Sequence, residues 1–283
     1  MANNLFSGLD SLGLGKISNM EVYENEEKKE EVKPQAATEK PEINEADLLF
    51  DKNFTCPVCD KEFKAKTIKT GKIKLIAADS DLRPKYQAVD SLKYDVVACP
   101  NCGYAALNRY FNYMTGPQAK LIKQNISENF SGLKQESDIV TYDEAITKHK
   151  LALANAVVKR AKSSEKAYTC LKTAWILRGK AESLSEDLPD YTKQKEELAA
   201  EELEFLENAY NGFLEAFPKE AFPMCGMDEN TVCYLVAELA RRIGHIDDAK
   251  RWVARVLVSK NANDRIKQKS MELKEKLTFE VRN

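Results

Sequence analysis

The sequence predicts an α+β chain in which a small β module clamped by four cysteines is followed by an all-α helical domain. Three observations predict it. Two cysteine pairs, Cys56-Pro57-Val58-Cys59 and Cys99-Pro100-Asn101-Cys102, are separated by 39 residues in a C-x2-C-x39-C-x2-C pattern. Around the first pair, apolar residues alternate with polar ones at the period of two that a half-buried strand needs. Beyond Thr115 they recur at three and four positions, the helical period, and nothing reads as a strand until the last few residues.

At 283 residues, 43% hydrophobic and 31% charged, the chain can bury a sizeable core and has room for about two domains. No apolar run approaches the ~18 residues that would span a bilayer, so no membrane association is expected. The start, Met1-Ala2-Asn3-Asn4-Leu5-Phe6, lacks the basic segment and apolar stretch of a secretory signal, and the expected compartment is the cytoplasm. There, seven cysteines argue for metal ligands and free thiols rather than disulfides. The net charge of −2 is unevenly spread, with 5 Lys/Arg against 11 Asp/Glu in residues 1–50 and 11 against 7 in residues 51–116. A mildly basic middle segment permits nucleic-acid contact without requiring it.

Residues 1–45 read as a disordered arm. Leu5, Leu9 and Leu12 fall near one helical face, but Gly8, Gly13 and Gly15 oppose a stable helix. The Glu/Lys-rich stretch from Glu24 to Glu45, broken by Pro34 and Pro41, has too little apolar surface to offset its ordering entropy. An apolar patch in residues 1–20 on an acidic tether reads either as a docking motif, folding on a partner or back on its own body, or as a frayed terminus.

Residues 46–115 form the expected metal module. Phe63, Ala65 and Thr67 alternate with Lys64 and Lys66, and Lys72-Ile73-Lys74-Leu75-Ile76 resumes the alternation after Thr70-Gly71. That predicts a hairpin carrying Lys64, Lys66, Lys72 and Lys74 on its outer face. Lysines there serve solubility and block edge pairing, or alternatively contact phosphates. Asp79 to Pro84 reads as a polar loop, Tyr94–Ala98 as a strand, and Ala105 to Tyr113 as a short helix.

Four thiolates on two tight turns suit a tetrahedral metal, so Cys56, Cys59, Cys99 and Cys102 are the predicted ligands of a zinc-ribbon-like site. Zinc is the expected metal. A rubredoxin-like iron centre is the alternative, because it too uses two such turns, although the 39-residue gap fits it poorly. Thiol–disulfide exchange is a further alternative. Four cysteines leave no open position, and His149 and His245 lie far along the chain as an expected surface and turn residue, so the site reads as structural.

Residues 116–283 read as helices. Thr115-Gly116-Pro117 starts one, Thr141-Tyr142-Asp143-Glu144 is a capping box for the next, and Ser163 is placed to cap a third. A long helix from about Asp190 ends at Pro218. Val232, Leu235, Val236, Leu239 and Ile243 make one stripe, Gly244-His245 turns the chain, and Ile246, Ala249, Trp252, Val253, Val256 and Leu257 make a second. That pair resembles a tetratricopeptide repeat, with a capping helix from Ala262 to Leu277. Cys170 and Cys233 read as core residues, and Met224-Cys225-Gly226-Met227 as a loop packed on the helices.

Asp81-Leu82-Arg83-Pro84-Lys85-Tyr86, the run from Lys93 to Ala106, His149 to Leu153 and Ala174 to Arg178 resemble a family of uncharacterised bacterial proteins classed only as a domain of unknown function. The resemblance spans roughly residues 46–280 and implies a zinc-binding module followed by tetratricopeptide-like helices, with no activity attached. No nucleophile–base pair or phosphate loop is visible, so nothing in the sequence argues for an enzyme. The expected function is a protein-interaction adaptor whose partner, a protein or peptide, meets the helical stack or residues 1–20; nucleic-acid binding through the basic module is the alternative.

Overall fold

The computed structural model describes residues 44–133 and 137–280; the docking motif expected in residues 1–20 lies outside them. Asn44 caps a short 3-10 turn, Glu45–Leu48, by accepting the Ala46 N–H at 3.1 Å. Strand β1 (Leu49–Thr55) then pairs antiparallel with β2 (Glu62–Ile68), Phe54 facing Phe63 and Thr55 facing Glu62. The first cysteine turn is therefore the hairpin's own turn, closed by Cys56 N–H to Lys61 O at 3.0 Å and Asp60 N–H to Cys56 O at 2.9 Å.

This corrects the expected hairpin. Thr70–Lys72 forms a 3-10 turn that carries the chain onward instead of reversing it. The partner of β2 is the segment before the first cysteine, brought back by the hydrogen-bonded loop of residues 56–61. Strand β3 (Leu75–Ala78) pairs instead with β4 (Pro84–Tyr86), with a register irregularity between Leu75 and Ala77.

A third hairpin joins β5 (Val96–Ala98) to β6 (Ala105–Leu107), in the register Val96 to Leu107 and Ala98 to Ala105. Its tip is the second cysteine turn, with Cys99 N–H to Tyr104 O at 2.7 Å and Gly103 N–H to Cys99 O at 3.1 Å. The strand starts later than expected because Asp90 caps a 3-10 turn over Ser91–Tyr94. The helix expected over 105–113 does not form: Ala105–Leu107 are all buried and paired to β5, and the following turns are closed by the Tyr104 hydroxyl donating to Phe111 O at 2.9 Å.

Seven helices follow among the described residues: α1 (Gly116–Asn125), α2 (Tyr142–Val158), α3 (Ser163–Ser183), α4 (Tyr191–Ala216), α5 (Glu229–Arg242), α6 (Ile246–Val258) and α7 (Asp264–Glu280). Thr115 with Gln118, and Thr141 with Glu144, form reciprocal capping boxes. Ser163 does not cap α3. The N–H of Ser164 at that end is taken by the Glu220 carboxylate at 3.0 Å, so the cap comes from a distant loop. Gly244 turns α5 into α6 at φ +83, and a Cβ there would meet nothing within 4 Å. Its role is therefore the left-handed backbone that glycine alone adopts cheaply. Ala237, Ala240 and Ala249 are fully buried, letting α5 and α6 approach closely.

The cores ignore the change of element type after Thr115. Leu48, Leu49, Ile68, Val89 and Leu92 belong to one apolar cluster with Leu171, Ile176, Phe213, Leu235 and Leu239 of the helices. Phe54, Tyr104, Phe111 and Ile122 form a second around the cysteines. Fully burying a side chain of that size contributes about 1.5–3 kcal/mol, so helices and hairpins stabilise one another.

Candidate metal centre

The tips of the first and third hairpins meet. Cys56 Sγ lies 3.6 Å from Cys102 Sγ, and Cys59 Sγ 3.7 Å from Cys99 Sγ. All four sulfurs fall within 4.8 Å of one another, so they could hold a metal ion. A tetrahedral ion with metal–sulfur bonds of about 2.3 Å requires sulfurs about 3.8 Å apart, and a disulfide about 2.05 Å; the observed spacing fits the first. Cys56 and Cys99 are fully buried, Cys102 is 5% exposed, and Cys59 is half-buried. Phe54, Phe63 and Phe111 pack as a trio with centroids 5.7–6.0 Å apart beside them.

The thiols act on one another electrostatically. Hydrogen bonds from Cys102 and Cys56 hold the Cys99 thiol far below its usual range. Contacts with Cys102 and Cys99, together with burial, push Cys56 far above it. Four thiolates this close together would need a compensating positive charge. Backbone N–H groups already point at three of them: Val58 and Cys59 at Cys56, Asn101 and Cys102 at Cys99, and Tyr104 at Cys102.

The second turn is gripped from outside. Ser127 Oγ donates to Cys102 O at 2.9 Å, and Asn155 Nδ2 of α2 donates to Gly103 O at 2.9 Å. Gly103 sits at φ +73, and a Cβ there would lie 2.6 Å from the Phe130 ring. The sequence pattern does not single out Asn155; its one signal is an amide inside the apolar run Ala152–Val158.

A family model described as an uncharacterized protein conserved in bacteria (DUF2225) matches residues 49–277. The chain belongs to the DUF2225 family. The matched span runs from β1 into α7 and includes all four clustered cysteines. No curated protein and no solved structure matches the chain. Among the described residues of this DUF2225 protein, no helix is long and apolar enough to cross a membrane.

The four lysines do not lie on one hairpin, because the hairpin assigned to them does not form. Lys64 is exposed on β2, Lys66 pairs with Asp51 at 3.1 Å, Lys72 lies in a 3-10 turn, and Lys74 precedes β3. His149 is not a surface residue. It is fully buried on α2, its Nδ1 2.8 Å from Ala145 O, and burial lowers its pKa. His245 is at the α5–α6 turn as expected, edge-on to Tyr210. Cys170 and Cys233 are core residues, and Met224 and Met227 bridge a loop packed on the helices.

The Asp79–Pro84 loop carries a feature that its polar composition does not announce. Asp81 is fully buried, and both its oxygens take the Arg178 guanidinium, at 2.7 and 3.1 Å. Arg178 also reaches Glu202 at 2.6 Å and Asp79 at 3.1 Å. Ser80 Oγ donates to the buried Glu238 carboxylate at 2.6 Å, and the Tyr234 hydroxyl donates to Ser80 O at 2.6 Å. Arg83, 4% exposed, pairs with Glu182 at 3.1 Å and Asp90 at 3.4 Å. Burial opposes ionisation of Asp81, but the Arg178 hydrogen bonds and charge outweigh it and hold the carboxyl below its usual range. Gly179 of α3 leaves room for this latch, since a Cβ there would lie 2.6 Å from Asp90 Oδ2 and 3.0 Å from Arg83.

Proposed function

We propose that this protein is a cytoplasmic adaptor whose helices are held in place by one structural zinc ion on Cys56, Cys59, Cys99 and Cys102. The observation that carries the metal reading is the pair of crossed sulfur distances, 3.6 and 3.7 Å, at the meeting of two hairpin tips. Zinc suits it because four thiolates close the coordination shell and leave no position for water or substrate. Iron would occupy the same donor set, and its colour separates the two.

The adaptor reading is supported by a groove of about 460 Å³ between α4 and α6, lined by Tyr210, Leu214, Asp248, Arg251, Trp252 and Arg255. Arg255 lies 4.6 Å over the Phe217 ring and 5.5 Å over Trp252. Tyrosine, tryptophan and arginine are the residue types that dominate protein-binding hot spots. On this reading α5 and α6 act as a tetratricopeptide-like pair that presents the groove to a protein or peptide. Nucleic-acid binding is less favoured, because Lys66 is paired with Asp51 and the hairpin expected to join Lys64 and Lys66 to Lys72 and Lys74 does not form.

Elemental analysis of the purified full chain tests the metal, with about one zinc per chain and no visible absorption expected; an iron spectrum overturns it. Affinity capture from the native cell tests the adaptor. A partner retained by the wild type and lost with R251E/R255E supports it, and nucleic acid as the dominant bound species overturns it.

A further inference from the structure

The four sulfurs are not equally protected. Cys56, Cys99 and Cys102 are buried, whereas Cys59 is the one of the four that is partly exposed. Its close sulfur neighbour is not Cys56 of its own turn but Cys99 of the opposite one, 3.7 Å away. The remaining two sulfurs, Cys56 and Cys102, are likewise paired across the turns at 3.6 Å. The cage is thus two cross-turn pairs, one of which reaches solvent. We propose that Cys59 is the site at which a peroxide attacks this protein, and that the product is a Cys59–Cys99 disulfide formed with release of the metal.

The inference rests on the zinc reading above. The Cys59 thiolate attacks one peroxide oxygen; the O–O bond breaks, hydroxide leaves with the bonding pair, and Cys59 becomes a sulfenic acid. The Cys99 thiolate then attacks that sulfur, the S–O bond breaks, and a second hydroxide leaves as the disulfide forms. Two electrons pass from two sulfurs to the peroxide, and both hydroxides are protonated to water by the acid form of the buffer. Zinc keeps only Cys56 and Cys102, and two thiolates hold it far less tightly than four.

The geometry favours this pairing. Closing 3.7 Å to the roughly 2.05 Å of a disulfide asks for a small shift at two turn tips. The ladders behind those tips remain hydrogen-bonded, as β1 to β2 and β5 to β6. The disulfide replaces the metal as the link between hairpins, so the module exchanges one closure for another. Competing thiols are poor nucleophiles. Burial pushes Cys170 up to about 12 and Cys233 up to about 11, which keeps both protonated, and Cys225 is also buried and raised.

The test uses the full-length zinc-loaded chain with its metal content measured first. Hydrogen peroxide is added stepwise, released zinc is read with a colorimetric chelator, and the thiols are mapped by differential alkylation and mass spectrometry. The expected result is zinc release in step with the loss of two thiols, a Cys59–Cys99 cross-linked peptide, and reversal by dithiothreitol with added zinc. Zinc retained through the titration overturns the proposal, as does first oxidation at Cys170, Cys225 or Cys233, or a disulfide within either single turn. A chain that holds no zinc beforehand overturns the metal reading itself, and the two failures are distinguished by that initial measurement.

Discussion

Two devices tie the β hairpins to the helices, and they are built from opposite chemistry. The cysteine cage joins two hairpin tips through four sulfurs beside α1 and α2. The latch joins the β3–β4 loop to α3, α4 and α5 through buried carboxylates and arginines: Asp81 to Arg178, Arg178 to Glu202, and Ser80 to Glu238. On the zinc reading proposed above, an ion neutralises the soft sulfurs, and the cage holds only while that ion is bound. The latch carries its own counter-charges. The cage is therefore a conditional connection, the latch a permanent one, and perturbations should separate them.

The largest effect belongs to the cage. Cys99→Ser should abolish stoichiometric zinc and lose most of the metal's contribution to folding, which for structural zinc is about 10–16 kcal/mol. Elemental analysis with thermal unfolding checks this, and a variant that stays folded without metal breaks the comparison. Next comes the latch. Arg178→Ala leaves Asp81 buried without its main partner and should cost about 3–5 kcal/mol in denaturant unfolding while the folded protein keeps its zinc. Loss of zinc at native conditions would mean that the two devices are not independent.

Acid should part them in the same way. The Asp81 pKa is held below its unfolded value of about 3.9, so its contribution is complete above that pH and is lost as pH falls through the folded value. Cage thiolates must gain protons to release their ion, so zinc should leave at higher pH than the latch fails. Unfolding midpoints against pH for wild type and Asp81→Asn, alongside zinc release, check the order. The smallest effect sharpens the latch's geometry. Gly179→Ala in a helix interior would ordinarily gain up to ~1 kcal/mol. Here the added Cβ meets Asp90, Tyr142 and Arg83, and overpacking of this kind costs about 1–3 kcal/mol, so net destabilisation is expected in a urea melt.

What is legible in the sequence is local. Each cysteine turn, the capping boxes at Thr115 and Thr141, the α5–α6 turn at Gly244 and the helical character after Thr115 all depend on residues within one or two turns of chain. The departures share a cause. Strand pairing is not encoded in alternation alone, so Phe63–Thr67 pairs with β1 and not with the segment after Thr70-Gly71. Ala105–Leu107 has a helical pattern yet is a strand, because pairing with β5 decides its conformation. Ser164 finds its cap on Glu220, 56 residues away, where no capping pattern would look for it.

By itself, then, the sequence determined the two cysteine turns, the order of β before α, and where most helices begin, because turns and caps are short-range chemistry. Only the tertiary structure decided that both cysteine turns are hairpin tips, that Cys59 is the partly exposed member of the cysteine cluster, that His149 is buried, and that Asp81 is locked to Arg178 across 97 residues. Burial and ion pairing depend on which distant segments the fold brings together, and a carboxylate in a loop looks the same in the sequence whether water or an arginine faces it.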